Sequence, residues 1–434
     1  MKNHKAMGKL RAVFDILLFP IYRIAVRLNL YFIAAIIACC LLIRVNGKRH
    51  KKLLFLDRSI FRADIEAMAN RSGDIQYVGL ERKYLWEIFN KYLDKAEVSE
   101  TNYHSEGTLE RPRRELFEWM TRLFLILHKF ICLDGIITCN FGYLDQQELF
   151  FVAKNQTWPV FVLFKEGMLP ELQLEELFKE YGKKYLNCRL VMTANIHLCQ
   201  MFQNSDIPGK DATRFAPVGI PRLDGYKDIA ESNSKGDILF LSFFPADKIS
   251  YASFTDANRK VIVDISEKFH RMVIRLAVER RDLNIVIKTK VAEHYVDYVE
   301  EIARSEYKSY RSLPNLRITN EGRATDLIKR SSHILGSQST GLLEGLLANR
   351  SVGRPRFPDG FECDNDFLYG YDTLVSSIRK FEDLIKFVDE RSSDLLRNER
   401  LRGQLLEKLV FTANYNASEL AEKEILLELL SEHK

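Results

Sequence analysis

Apolar and polar positions along this chain fall into two alternating patterns. Short, nearly unbroken apolar runs are separated by longer stretches in which apolar residues return every three or four positions. The first pattern predicts strands buried on both faces, the second amphipathic helices. Leu53-Leu54-Phe55-Leu56 is followed by helical spacing over Ile60–Ala69 and a second run at Ile75–Val78. A helix around Leu85–Leu93, a polar loop at Glu97–Pro112 and a long helix from Glu115 to Phe130 come next. Strands at Gly135–Cys139, Pro159–Phe164 and Cys188–Met192 then alternate with helices at Asp145–Lys154 and Glu171–Tyr181. A second series supplies strands at Asp237–Leu241, Leu283–Lys288 and Leu316–Thr319, with helices at Lys260–Val278, Tyr295–Ala303 and Ala324–Lys329. Helices at Ile378–Glu390, Asp394–Leu409 and Ala417–Leu430 close the chain. The order predicts an α/β protein built from two open, parallel β-α-β sheets.

Between the two series, Phe215–Tyr226 reads FAPVGIPRLDGY, and its Pro and Gly residues break regular structure. A polar linker follows. The expected division is therefore a segment at 1–51, a first domain at 52–225, a linker at 226–236 and a second domain at 237–434. Arg222 and Asp224 stand at the hinge, either facing a cleft or paired with each other across a turn.

The most informative stretch is His333–Val352, HILGSQSTGLLEGLLANRSV. An apolar run ends in small polar residues, and an amphipathic segment begins at Leu342. This reads as strand, tight turn and helix start. Small residues let a ligand approach the backbone, and the unpaired N–H groups of a helix start attract anions. Ser337, Ser339 and Thr340 are thus candidate phosphate binders, although Ser and Thr there are equally ordinary caps. Glu344, on the first turn or two, is placed to accept hydrogen bonds from a sugar hydroxyl. Ligands of open α/β sheets lie at the carboxyl ends of strands. That rule selects Lys288 as a counter-charge for diphosphate. In the first half it selects Asn140-Phe141-Gly142 and Lys165-Glu166-Gly167, with Glu166 the candidate base and a solvated loop pair the bland alternative.

Charge changes the picture at one end. The 434 residues carry a net charge of +5, but residues 1–52 hold eleven Lys and Arg against a single acid, Asp15. The body is slightly acidic, which argues against nucleic acid as a partner and for a membrane-facing tail. Residues Val13–Ile43 are mostly apolar, interrupted by Asp15, Pro20, Arg23 and Arg27. The cleanest piece, Leu28–Ile43, spans about 24 Å, short of a hydrocarbon core of about 30 Å. A short signal anchor, an in-plane or re-entrant segment and a buried helical hairpin all fit. Membrane attachment through residues 1–51 is expected, with spanning undecided. Seven Cys form no CxxC pair, which points to buried thiols in a reducing compartment, and neither they nor the nine His show metal-ligand spacing.

Three motifs carry a resemblance to GT-B-type glycosyltransferases. GLLEGLLANRSV resembles the donor-binding helix of that fold, with Glu344 at the position of the glutamate that binds the nucleotide ribose. VGIPRLD, Val218 to Asp224, is similar to the Gly-x-Pro-Arg-x-Asp segment of bacterial surface-carbohydrate glycosyltransferases and of CDP-glycerol glycerophosphotransferases. IVIKTK, Ile285 to Lys290, takes the place where these proteins often carry Lys with His-Pro. The chain departs from the pattern at Asn349-Arg350-Ser351, in lacking His-Pro after Lys288, and in lacking the first-domain His-Gly of the glycerophosphotransferases.

The resemblance implies two Rossmann-like domains facing a cleft behind an N-terminal apolar helical segment. It implies transfer of a sugar from a nucleotide-sugar donor in the second domain to a carbohydrate or lipid-linked acceptor, in surface polysaccharide biosynthesis at the cytoplasmic face of the membrane. The nucleotide-sugar is substrate and no cofactor is expected. No Asp-x-Asp stands at a strand end, so metal-independent transfer is expected. Transfer of a polyol phosphate from a CDP-activated donor, and a non-catalytic scaffold, are the alternatives.

Overall fold

The computed structural model describes the chain apart from residues 1, 47–48, 58, 72, 95–97, 100–101, 105–106, 108, 167–170, 228–235, 244–255, 338, 358–367, 369–370, 391–398, 412–415 and 432–434. Within helices it describes the backbone alone at residues 2–12, 59–60, 171–173, 256–259, 262 and 399. Most of the expected linker, together with Gly167 and Gln338, lies outside the described residues. The chain forms two compact units. The first comprises Met1–Gly167, Leu172–Asp224 and Lys408–Lys434, and the second comprises Met168–Glu171 and Gly225–Glu407.

The first unit holds a seven-stranded sheet: β1 (Ile43–Arg44), β2 (Lys51–Asp57), β3 (Ile75–Glu81), β4 (Gly135–Thr138), β5 (Val160–Leu163), β6 (Leu190–Thr193) and β7 (Arg214–Pro217). Their order is β1-β3-β2-β4-β5-β6-β7, parallel throughout except for β1 against β3. The apolar run of β2 is explained by helices on both faces. Leu54 and Leu56 join a core with helices Arg82–Tyr92 and Glu110–Ile131, while Leu53 and Phe55 join one with helices Ser59–Arg71 and Ala417–Ser431. A strand covered on both sides needs no polar alternation.

Three features of this unit bear on the sequence reading, the first agreeing with the helical hairpin among its alternatives and the other two departing from it. First, residues 2–41 form a pair of helices, Lys2–Arg27 and Tyr31–Leu41, joined at Asn29, whose φ is 59°. Tyr22, Ala25, Ala34 and Ala38 of this pair are buried against the helices Arg82–Tyr92 and Glu110–Ile131. Among the described residues, no helix is long and apolar enough to cross a membrane. Second, the start of FAPVGIPRLDGY is the edge strand β7, which tolerates Pro217 at its last position. Third, the helix Ala417–Ser431, expected in the second domain, packs on the helix Ser59–Arg71 of the first unit. Paired side chains hold it there: Glu428 lies 2.6 Å from both Arg189 and Arg214.

The second unit holds six parallel strands: β8 (Asp237–Leu241), β9 (Ile285–Lys288), β10 (Leu316–Thr319), β11 (Ser331–Gly336), β12 (Ser351–Pro355) and β13 (Ser376–Ile378). Their order is β10-β9-β8-β11-β12-β13. Helices Asp256–Glu279, Glu293–Glu306 and Phe381–Asp389 bury Phe269, Val273, Val299 and Leu384 with Phe240, Ile287 and Leu335 of the sheet. β12 and β13 have no counterpart among the expected strands, because each is too short to show a period.

Candidate functional site

The second sheet reverses direction once. β8, β9 and β10 are laid down outward, and the chain then returns to place β11, β12 and β13 on the other side of β8. In open α/β sheets, ligands bind outside the carboxyl ends of the strands at such a reversal. Leu241 at the end of β8 pairs with Gly336 of β11 on one side and with Lys288 of β9 on the other. Ser242, Ser337 and Thr289 therefore leave the sheet next to one another.

From β11 the chain passes through the small residues directly into the helix Thr340–Leu347. Ser339 is its N-cap: the backbone is extended and Oγ accepts from the Gly341 N–H at 3.2 Å. Ser337 is half-buried and Thr340 exposed. Gly341 packs closely, since a Cβ there would stand 2.2 Å from Cδ1 of Leu241 and would have to displace that side chain. The missing side chain seats the helix start against the end of β8. The first-turn N–H groups thus emerge at the strand reversal, where a phosphate would find them.

Glu344 sits one turn further along and is buried. Its Oε2 accepts hydrogen bonds from Tyr226 Oη at 2.7 Å and Thr325 Oγ1 at 3.3 Å. A buried carboxylate needs such donors to offset its lost hydration. The group is therefore held as an acceptor for hydroxyls, the chemistry a ribose diol would use. Neither Tyr226 nor Thr325 was anticipated. Tyr226 ends the FAPVGIPRLDGY segment, and its aromatic hydroxyl beside breakers was the available signal. Nothing in the sequence indicates that it converges on Glu344.

Ser242 and His270 form a second arrangement missed in the sequence. His270 is fully buried on the helix Asp256–Glu279, with Nε2 2.8 Å from Ser242 Oγ and Nδ1 2.7 Å from the Ser266 carbonyl oxygen. A carbonyl only accepts, so Nδ1 carries the proton and the neutral Nε2 accepts from the Ser242 hydroxyl. Burial holds the imidazole neutral, pushing its pKa down to about 4. The side chain at the end of β8 is fixed by this bond. Because the unfolded chain takes up a proton near pH 6.5 and the folded one near 4, stability should fall as pH drops through that window. His270 alone accounts for on the order of 3 kcal/mol of that fall. Urea midpoints measured between pH 7 and pH 4 should show a shallower acid limb for His270→Gln than for the natural chain.

The remaining predicted residues have other partners. Lys288 is buried, and its ammonium donates to the carbonyl oxygens of Thr289 at 2.7 Å and Asn320 at 2.8 Å. Burial lowers its pKa. In this arrangement the charge is turned onto the backbone and ties the ends of β9 and β10 together. Arg222 and Asp224 do not pair with each other. Arg222 Nη1 lies 3.1 and 3.3 Å from the two carboxylate oxygens of Asp64. Asp224 accepts from the N–H groups of Ala417 at 3.0 Å and Ser418 at 2.8 Å, and so caps the last helix. Glu166 follows β5 in the first unit and is ion-paired with Lys165 at 3.0 Å. The structure brings together Ser337, Ser339, Thr340 and Glu344 around one turn. Among the described residues, no group of three or more His, Cys, Asp or Glu is arranged to hold a metal ion.

No protein-family model matches the chain, and no curated protein matches it. Solved structures do. The wall teichoic acid polymerase TagF is 11% identical, covers 100% of both chains and has a TM-score of 0.51. A putative UDP-N-acetylglucosamine 2-epimerase from Listeria monocytogenes is 13% identical over 89% of this chain and 97% of its own, with a TM-score of 0.50. A glycosyltransferase from Rickettsia africae ESF-5 is 12% identical over 88% and 99%, with a TM-score of 0.49. At these identities the likeness is one of fold. The chain has the GT-B type of α/β fold, with two parallel-sheet units in series.

Proposed function

We propose that this protein is a glycosyltransferase that takes its sugar from a nucleotide-activated donor bound at the β8/β11 reversal. The observation that carries the proposal is the buried Glu344 carboxylate, held by Tyr226 and Thr325 one turn beyond the open helix start. Phosphate oxygens would take the N–H groups of Ser339 and Thr340 with the hydroxyls of Ser337 and Thr340, and the ribose would meet Glu344. Helix-start electrostatics would then stabilise the departing nucleotide. Glu166 is the proposed base, its carboxylate drawing a proton from the acceptor hydroxyl, with Lys165 beside it. A lipid-linked acceptor requires work at a membrane surface, and residues 1–51 are the part of the chain that would meet it.

One observation favours a second reading. The TagF match extends over the whole of both chains, and a further TagF structure solved with CDPG matches equally with a TM-score of 0.51. Transfer of a polyol phosphate from a CDP-activated donor would use the same strand-end turn. A thermal-shift series with UDP, GDP, CMP, CDP and ADP separates the readings. Selective stabilisation by UDP or GDP is expected for sugar transfer from those nucleotides, whereas CMP or CDP alone would leave a Kdo-like sugar donor and the polyol-phosphate donor of the second reading. No response to any of the five would overturn both and leave a scaffold role.

A further inference from the structure

We propose that the N-terminal helix pair is an in-plane docking surface for an anionic lipid bilayer, inserted by its outer apolar face and not spanning. The inference takes further the membrane contact that the transferase reading gives to residues 1–51, and its test does not depend on the donor site. The two helices use one face to pack on the first unit and leave the other in solvent. On that outer face Ile16 is 71% exposed, Leu17 61%, Ile24 55%, Leu28 64% and Phe32 58%. Phe32 lies 6.1 Å from the ring of Phe130, itself exposed on the neighbouring helix, so the apolar surface continues across the two elements. Contiguous apolar surface of this kind is uncommon on soluble monomers and marks a contact.

Charge identifies the occupant. Residues 1–52 contain one acid, and Asp15 is turned inward onto Lys83 and Tyr84. The helix pair therefore brings no outward carboxylate of its own. Arg27 and, on the adjoining helix, Lys129 are exposed beside the apolar residues, and Arg44 and Arg49 are exposed just after the pair. An apolar face flanked by the cations of its own segment matches the boundary between acyl chains and anionic headgroups. Geometry sets the mode. Among the described residues no helix is long and apolar enough to cross, and the pair is fixed by buried residues between Tyr22 and Val26 of the first helix and between Ala34 and Leu41 of the second. A segment anchored in this way presents a side, not an end.

Flotation with preformed vesicles tests this on the full chain. The natural protein should float with vesicles of phosphatidylcholine and phosphatidylglycerol and much less with phosphatidylcholine alone. It should also come off when the bound fraction is diluted into fresh buffer, as an interfacial contact does. Ile24→Glu/Phe32→Glu changes only exposed side chains and should keep the melting temperature while lowering partitioning about tenfold or more. The proposal is overturned if the natural chain stays with the soluble fraction, or if the double variant floats equally well. It is also overturned if light scattering shows a stable dimer that the double variant splits, since the face would then be a protein interface. Nucleotide-induced thermal shifts should be the same in the natural chain and this variant, which keeps the test apart from that of the donor site.

Discussion

Glu344→Ala should weaken the binding of whichever nucleotide stabilises the natural chain by about 10- to 100-fold, while the protein stays folded. The size follows from what the carboxylate supplies. A hydrogen bond to a charged group contributes about 1.5–3 kcal/mol, and a ribose diol offers two hydroxyls to one carboxylate. The side chain is already ordered by Tyr226 and Thr325, so little entropy is lost when the ligand arrives. Glu344→Gln keeps the shape and one acceptor oxygen, and should fall between the alanine variant and the natural chain. Truncation to Ala removes the acceptor of the buried Tyr226 hydroxyl, so a modest fall in melting temperature is expected from Glu344→Ala and a smaller one from Glu344→Gln. Isothermal titration of the folded variants reads the binding term separately. Unchanged affinity for every nucleotide that binds the natural chain would refute the ribose role.

Glu344 also shows how much of the site was legible. The turn and the helix were readable from residues 333–352, because an apolar run, a cluster of small residues and a return to helical spacing follow in that order. The position of Glu344 on that helix followed directly. Its partners did not, because Tyr226 and Thr325 are 118 and 19 residues away, and only the tertiary fold brings them in. Ser242 was invisible for a related reason. A serine after an apolar strand is unremarkable until His270, on a helix 28 residues on, is known to face it. Lys288 shows the opposite error. Its place at a strand end was read correctly, but residue type and position say nothing about direction, and the ammonium turns to the Thr289 and Asn320 carbonyls.

The fold was more legible than the site, because long-period hydrophobic patterns report burial directly. Strands β2 to β6, β8, β9 and β11 all lie within or over apolar runs of the sequence, since parallel strands covered on both faces are apolar where they cross the core. The edge strand β10 was readable from the alternation of Leu316 and Ile318 with Arg317 and Thr319. The short strands β7, β12 and β13, of which β7 and β13 are edges, escaped for want of length. The last helix was found, but its membership of the first unit was not. Amphipathicity shows that a face is buried without naming what covers it.

The motif VGIPRLD makes the final case, since the same residues support a cleft role and a structural one. The structure favours the second for Arg222. Its guanidinium is 14% exposed and Asp64 is 4% exposed, at 3.1 Å, and the Arg222 backbone N–H donates to Asp64 as well, at 3.0 Å. Truncating one member of a buried ion pair strands the other charge, which costs about 3–5 kcal/mol. Arg222→Ala should therefore lower the urea midpoint sharply. Adding Asp64→Ala should cost less than the sum of the two single changes, because the stranded carboxylate is gone. A residue that instead faced substrate would leave stability within about 0.5 kcal/mol of the natural chain, as surface changes do. It would raise KM for the acceptor. The two outcomes are opposite in stability, so one denaturation series on the single and double variants decides between them. Nucleotide binding should be unaltered in the folded fraction of both, since Asp64 and Arg222 belong to the first unit and Glu344 to the second.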